Sequence, residues 1–305
     1  MSLVLELPVS AVAAPSALTG DALLARAAAR FDDLRPVAGP VRLGVDLGTA
    51  SIVLVALDQA GRPVGCASQV CQVAKDGLVV DYIGAIDIVR RLARRLEQGL
   101  GTELGPAAIA VPPGTSPADA GAHRHVVEAA GLEVVAVVDE PTAANAVLGL
   151  RHGAVVDIGG GTTGLAVIQD GRVVHTADEP TGGWHMSLVL MRRFGLDFDA
   201  AEAFKRDPGS RDQAAAVVRP VMEKMALIAQ RHLAGWPVDQ LWLVGGSSCL
   251  PGIDQVFAQV TGRPTRKPSH PLLATPVGIA LSCPPPDDGP AGTAAVRASA
   301  GWGRP

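Results

Sequence analysis

One segment of this chain occurs twice. Val45-Asp46-Leu47-Gly48-Thr49 returns as Val156-Asp157-Ile158-Gly159-Gly160-Gly161-Thr162-Thr163. Each copy ends an apolar strand in a carboxylate, turns on glycine and hydroxyl residues, and enters a second strand, at 52–57 and 164–169. Each then turns again on glycine, at Gly61 or Gly171, into a third strand that opens Arg62-Pro63-Val64 or Arg172-Val173-Val174. Two β-turn-β-turn-β units of one pattern imply duplicated halves that face each other. A glycine turn lets backbone N–H groups approach a phosphate closely, because no Cβ intervenes and positive φ costs little. Two such turns, each with an aspartate for a bound cation, form a two-sided clamp for a nucleotide phosphate chain and its Mg²⁺.

A length of 305 residues allows two domains, each with its own core. The net charge of −4, with charges of both signs, provides neither a basic field for nucleic acid nor a polybasic membrane patch. No apolar run approaches the roughly 20 residues of a membrane span. The N-terminus faintly resembles a secretion signal, but no Lys or Arg precedes Arg26 and Glu6 interrupts the apolar stretch. Cys66, Cys71, Cys249 and Cys283 have no metal-type spacing and read as reduced thiols of a cytoplasmic protein.

Residues 1–40 form an extension before the first strand. Within residues 18–35, Leu23, Leu24, Ala27, Phe31 and Leu34 recur at helical spacing with Asp21 as N-cap. That stripe docks a partner, packs on its own domain or is disordered. Residues 41–150 read as a first α/β domain: three strands, a helix at 87–98 with a basic solvated face (Arg90, Arg91, Arg94, Arg95), a strand at 107–111, a helix at 117–130, a strand at 134–138 and a helix at 142–150. Residues 151–271 repeat the plan, with helices within 183–235, a strand at 240–244 and a helix from about Ile253. A helix at 276–281 lies in a segment, 272–283, that completes the first domain, and 284–305 is a Pro-, Gly- and Ala-rich tail expected to be disordered.

Asp46 and Asp157 occupy equivalent turns, and two carboxylates together with phosphate oxygens suit a hard, mostly hydrated Mg²⁺. Gly48 and the run Gly159, Gly160, Gly161 allow close approach of phosphate, and Thr49, Thr162 and Thr163 can donate hydroxyls to it, although threonine is also a good strand residue. Glu140, after a buried strand and before Pro141, is placed to orient a water toward a terminal phosphate. Gly245-Gly246-Ser247 forms a third glycine turn that a nucleoside can approach. Glu202 and Lys205 share a helix face and suit a ribose or adenine edge, or else a plain exposed ion pair. His123 and His125 do not share a helix face, which argues against a metal site. Walker-type Gly-x-x-x-x-Gly-Lys and His-Glu-x-x-His patterns do not occur.

Taken in order, Asp46-Leu-Gly-Thr49, Asp139-Glu-Pro-Thr-Ala-Ala144, Asp157-Ile-Gly-Gly-Gly-Thr162, Gly245-Gly-Ser-Ser248 and Pro276-Val-Gly-Ile-Ala280 resemble the five motifs of the actin, sugar-kinase and DnaK-type ATPase superfamily. Lys75-Asp-Gly, Pro112-Pro-Gly-Thr115, Asp178-Glu-Pro-Thr-Gly-Gly183 and Ala201-Glu-Ala-Phe-Lys205 narrow the likeness, from about residue 41 to 283, to the chaperone-like proteins of ethanolamine-utilisation operons. The resemblance implies a duplicated ribonuclease-H-like α/β fold, two domains around a nucleotide cleft. It gives Asp46 and Asp157 to Mg²⁺, with Asp157 also catalytic, Glu140 to the attacking water, and Thr49 with Gly159 to Thr162 to the phosphates. Gly245, Gly246, Ser247, Glu202 and Lys205 would hold the nucleoside of ATP.

Three departures stand out. Cys249 occupies the place where DnaK-type chaperones put an arginine on the adenine, no catalytic lysine is evident beyond Lys75, and no acidic-apolar linker or peptide-binding domain follows the ATPase core. The resemblance implies a weakly hydrolysing, Mg-ATP-dependent chaperone or assembly factor whose clients are ethanolamine-pathway enzymes or microcompartment shell proteins. An actin-like filament protein and a small-molecule kinase are the competing functions.

Overall fold

A computed structural model describes residues 20–75 and 78–285. The Asp76-Gly77 pair, the first nineteen residues and the expected tail from residue 286 onward lie outside the described residues. The first half comprises α1 (Gly20–Ala29), β1 (Arg42–Leu47), β2 (Ser51–Leu57), β3 (Pro63–Val70), a short hairpin of β4 (Ala74–Lys75) and β5 (Leu78–Val79), α2 (Tyr82–Leu100), β6 (Ala107–Val111), α3 (Pro117–Ala129), β7 (Val134–Asp139) and α4 (Glu140–Leu148). The second comprises β8 (Gly153–Ile158), β9 (Thr163–Gln169), β10 (Arg172–Glu179), α5 (Gly183–Phe194), α6 (Phe198–Arg206), α7 (Arg211–His232), β11 (Leu241–Val244), a 3-10 turn (Gly246–Cys249), α8 (Ile253–Thr261), β12 (Thr265–Arg266) and α9 (Pro271–Ser282).

The duplication governs the sheets. One runs β3-β2-β1-β6-β7 and the other β10-β9-β8-β11-β12. In both, the three-strand meander is antiparallel and the strands added after it are parallel. Asp46 opposes Val53 in the first sheet as Asp157 opposes Gly164 in the second, so the two aspartates occupy the same register. Strands β6 and β8 are buried on both faces, which explains the apolar run of β6 and that of β8 up to Val156. Helix α2 exceeds the expected span at both ends: the Asp81 carboxylate caps its start through the Gly84 N–H, and left-handed Gly101 stops it at φ 65°. Its basic face is less free than expected, because Arg90 reaches the Ala129 carbonyl and Arg95 the Phe31 carbonyl.

Helices α4 and α9 cross between the halves, and each spans the seam. Helix α4 leans on β8 and β9 of the second sheet, while α9 covers β1, β2 and β6 of the first. Glycine makes the approach possible: a Cβ on Gly278 would lie 1.8 Å from the Ala143 carbonyl oxygen, and one on Gly44 would lie 2.4 Å from the Ala280 nitrogen.

Helix α1 corrects the docking expectation. Leu23, Leu24 and Ala27 are buried, the last two completely, and Leu24 and Ala27 share a core cluster with Val53, Val55, Cys66 and Val147. The apolar stripe is therefore spent on the chain's own core and leaves no such face for a partner. Asp21 is not the N-cap either; it lies inside the first turn, and its carboxylate accepts the Ser269 N–H at 2.9 Å.

Candidate functional site

A cavity of about 430 Å³ lies between the halves. Its wall includes Asp46, Gly48, Thr49, Glu140, Asp157, Gly159, Gly160, Gly161, Thr162, Glu202, Lys205, Gly245, Gly246 and Ser247. The fold thus gathers these from five separate stretches of chain. Thr163 is the exception. It is 2% exposed, and its hydroxyl donates to the Thr181 carbonyl at 2.6 Å, so the expected phosphate contact gives way to a tie between β9 and the loop before α5.

The two glycine turns meet across the cavity. A Cβ on Gly160 would lie 2.9 Å from the Ala50 Cβ, so nothing larger than glycine fits where the second turn crosses the first. Gly245 is equally constrained. It leaves β11 at φ 85°, and an added Cβ would lie 2.3 Å from Asp157 Oδ1.

Glu140 is the first residue of α4, whose N-cap is Asp139, with the Thr142 N–H on its carboxylate at 2.9 Å. That cap starts the helix two residues before the expected 142 and sets Glu140 on the wall. Asp157 is buried and Asp46 and Glu140 are half-buried on the cavity wall, and among the described residues no Lys or Arg forms an ion pair with them. Enclosure and the Asp157 charge push the Asp46 carboxyl up to about 7. Enclosure raises Asp157 to about 6, against the pull of the Thr275 hydroxyl that donates to it. Glu140 is driven well above the usual range by enclosure first, then by the charges of Asp157, Asp46, Asp178 and Asp139.

Among the described residues, no group of three or more His, Cys, Asp and Glu side chains is close enough to cage a metal by itself. A cation here would take the rest of its ligands from water and phosphate, as Mg²⁺ ordinarily does. The Lys and Arg side chains on the wall, Lys205, Arg206 and Arg211, all come from the second half. Lys75, the one candidate for a catalytic lysine, is exposed on β4 and is not part of the wall.

Glu202 and Lys205 are not an exposed pair, since their side chains are only 10% and 9% exposed. Glu202 accepts from Lys205 at 2.5 Å, from Arg206 at 2.5 Å and from the Ser187 hydroxyl. Sequence reasoning missed Ser187, Trp184 and Thr275. Thr275 immediately precedes the Pro276 motif, the one local signal available; its partner Asp157 is 118 residues away. Cys249 stands on the cavity wall.

A family profile described as type IV pilus assembly protein PilM matches residues 121–267. The ethanolamine utilization protein EutJ of Escherichia coli (strain K12) is 44% identical over 244 residues, spanning 80% of this chain and 86% of that protein. The chain belongs to the EutJ family. A solved structure of EutJ from Carboxydothermus hydrogenoformans is 48% identical, with a TM-score of 0.79, and covers 86% of this chain and 99% of that one. More distant likenesses give the fold. The chaperone protein HscA homolog of Azotobacter vinelandii is 26% identical over 64% of this chain and 39% of its own length. The ADP-bound crystal structure of MreB5 from Spiroplasma citri shares 18% identity at a TM-score of 0.63, over 78% of this chain and 94% of that one. EutJ architecture in this chain is thus the duplicated, ribonuclease-H-like α/β fold of the actin-like ATPases, with the two matching sheets as its halves.

Proposed function

We propose that the cavity binds ATP with Mg²⁺, hydrolyses it slowly, and uses the resulting opening and closing of the halves in a chaperone-like role in the folding or assembly of ethanolamine-utilisation proteins. The observation that carries the reading is the pair Asp46 and Asp157, at equivalent positions of two sheets, on one cavity with Glu140 and without a basic partner among the described residues. The names of the EutJ relatives support the pathway, and the HscA likeness supports the chaperone-like part.

The residues fit the cation and the phosphates. Three enclosed carboxylates repel one another until a positive charge joins them, and the Gly159 to Gly161 turn has no side chain where a phosphate would lie. Asp46 and Asp157 would hold Mg²⁺, which supplies charge neutralisation for the phosphate oxygens when bound. Glu140 would accept a hydrogen bond from the attacking water and orient it, with its raised pKa suiting proton transfer near neutral pH. Thr49 and Thr162 would donate to phosphate oxygens, and the 3-10 turn at Gly246 would flank the nucleoside.

Thermal unfolding tests the assignment. A ligand at about 100 times its Kd stabilises the native state by about 2.7 kcal/mol, and chains of this size gain roughly 2–4 °C per kcal/mol. Millimolar Mg-ATP should raise Tm by about 5–10 °C, with little shift from ATP in EDTA or from Mg-GTP. No shift with Mg-ATP sinks the nucleotide reading. Refolding of a purified ethanolamine-pathway enzyme, with and without the protein and ATP, tests the chaperone-like part.

A further inference from the structure

We propose that Thr275 is a positioning residue: its hydroxyl sets the Asp157 carboxylate for the cation and, through α9, ties that carboxylate to the strand that carries Asp46. The consequence for the cation rests on the nucleotide reading above; the contact itself does not. A serine or threonine inside a helix can return its hydroxyl to the carbonyl four residues back. Ser187, Thr261 and Ser282 do so here, onto Gly183, Phe257 and Gly278. Thr275, on α9 and 4% exposed, does not. Its hydroxyl leaves the helix and donates to Asp157 Oδ2 at 2.5 Å. The carbonyl four residues before it, that of Pro271, receives a donor from outside the helix, the Gly245 N–H at 3.0 Å.

These contacts bracket the carboxylate. Thr275 holds Oδ2, and Oδ1 lies so near Gly245 that a Cβ there would come within 2.3 Å of it. A carboxylate has about four acceptor positions, so one hydrogen bond fixes its orientation and leaves the others for a cation or its waters. Helix α9 carries the constraint to the other half. A Cβ on Gly44 would lie 2.4 Å from the Ala280 nitrogen, so α9 lies flush on β1 just before Asp46. Thr275 and Ala280 are separated along one helix by about 7.5 Å, at about 1.5 Å per residue. A rigid turn and a half therefore joins the grip on Asp157 to the grip on β1. Through it α9 sets the spacing of the two proposed cation carboxylates, one from each half.

The test compares Thr275→Val, which keeps the shape and loses the hydroxyl, with Thr275→Ser, which keeps the hydroxyl, by measuring Kd for Mg-ATP and Ca-ATP. Mg²⁺ demands a nearly regular octahedron, whereas Ca²⁺ accepts irregular geometry. Removing a group that orients a metal-binding side chain costs about ten- to a hundredfold in metal affinity. Thr275→Val should therefore weaken Mg-ATP about tenfold or more and Ca-ATP by much less, and Thr275→Ser should bind both as wild type does. An equal loss with both metals identifies a nucleotide contact or a purely structural role and overturns the proposal, as does a serine variant no better than valine. Chemical denaturation without nucleotide supplies a readout independent of ATP: Thr275→Val should destabilise the wild-type chain and have little effect in an Asp157→Ala background. The same effect in both backgrounds also overturns the proposal. If wild type binds neither complex, the nucleotide reading fails while the denaturation cycle still decides whether Thr275 holds Asp157. Should Thr275→Val fail to fold, Thr275→Ala carries the same measurements.

Discussion

Gly245 and Glu140 show how differently single residues serve one cavity. Alanine at 245 would need positive φ and would press its Cβ to within 2.3 Å of Asp157 Oδ1; a residue forced into such a region costs of order 1–3 kcal/mol. Gly245→Ala should therefore lower Tm and also abolish the Mg-ATP shift, because the carboxylate it displaces is a proposed cation ligand. A normal shift in a destabilised variant would show that Asp157 tolerates displacement. Glu140→Ala removes only the group proposed to orient water, so single-turnover hydrolysis should fall about 100-fold or more with ATP affinity nearly intact. Asp157→Ala should damage both, and equal losses of affinity in the two variants would mean the roles are misassigned. The acidic and glycine positions were legible in the sequence because a repeated local pattern carries them. The role of Thr163 was not, since its hydroxyl is taken by the Thr181 carbonyl in the loop beyond the β9–β10 hairpin, a contact that the hairpin's own pattern does not specify. The other partners of the Lys205 ammonium were equally invisible: helical spacing gives the Glu202 partner, but Ser187 and Gly183 arrive from another helix.

Elements were easier to read than their packing. Alternation of apolar strands with amphipathic helices, and the recurrence of the three-strand unit, were enough to anticipate two like sheets. The fate of the α1 stripe was not readable, because amphipathicity says that a face will be buried and not against what. In the fold that face meets β3, α4 and α9. Truncating the fully buried Leu24 in Leu24→Ala should cost about 2–5 kcal/mol, read by chemical denaturation, and deletion of residues 20–34 should prevent folding of the first half. A deletion variant that folds with unchanged stability would restore α1 as a free appendage. Short elements such as β12, with two residues, left no pattern in the sequence at all.

At the scale of the whole molecule, the enclosed acids make stability depend on pH. Native Asp46 and Asp157 hold protons up to about 7 and 6, against an ordinary 3.8. Between about pH 4 and 7 the native state therefore binds more protons than the unfolded chain, and stability falls as pH rises through that window. Without nucleotide, Tm should be higher at about pH 5 than at about pH 8, and Asp46→Asn should flatten that slope and raise Tm at the alkaline end. A slope of opposite sign in wild type, with the variant unchanged, would show that other groups govern the titration. Mg-ATP should remove most of the alkaline loss by supplying the missing positive charge. The crossing of α4 and α9 also sets an order of events during synthesis. Strand β1 is complete at Leu47, yet the helix that covers it begins at Pro271. An emerging chain must therefore carry the open face of its first sheet until nearly the entire described fold has left the ribosome.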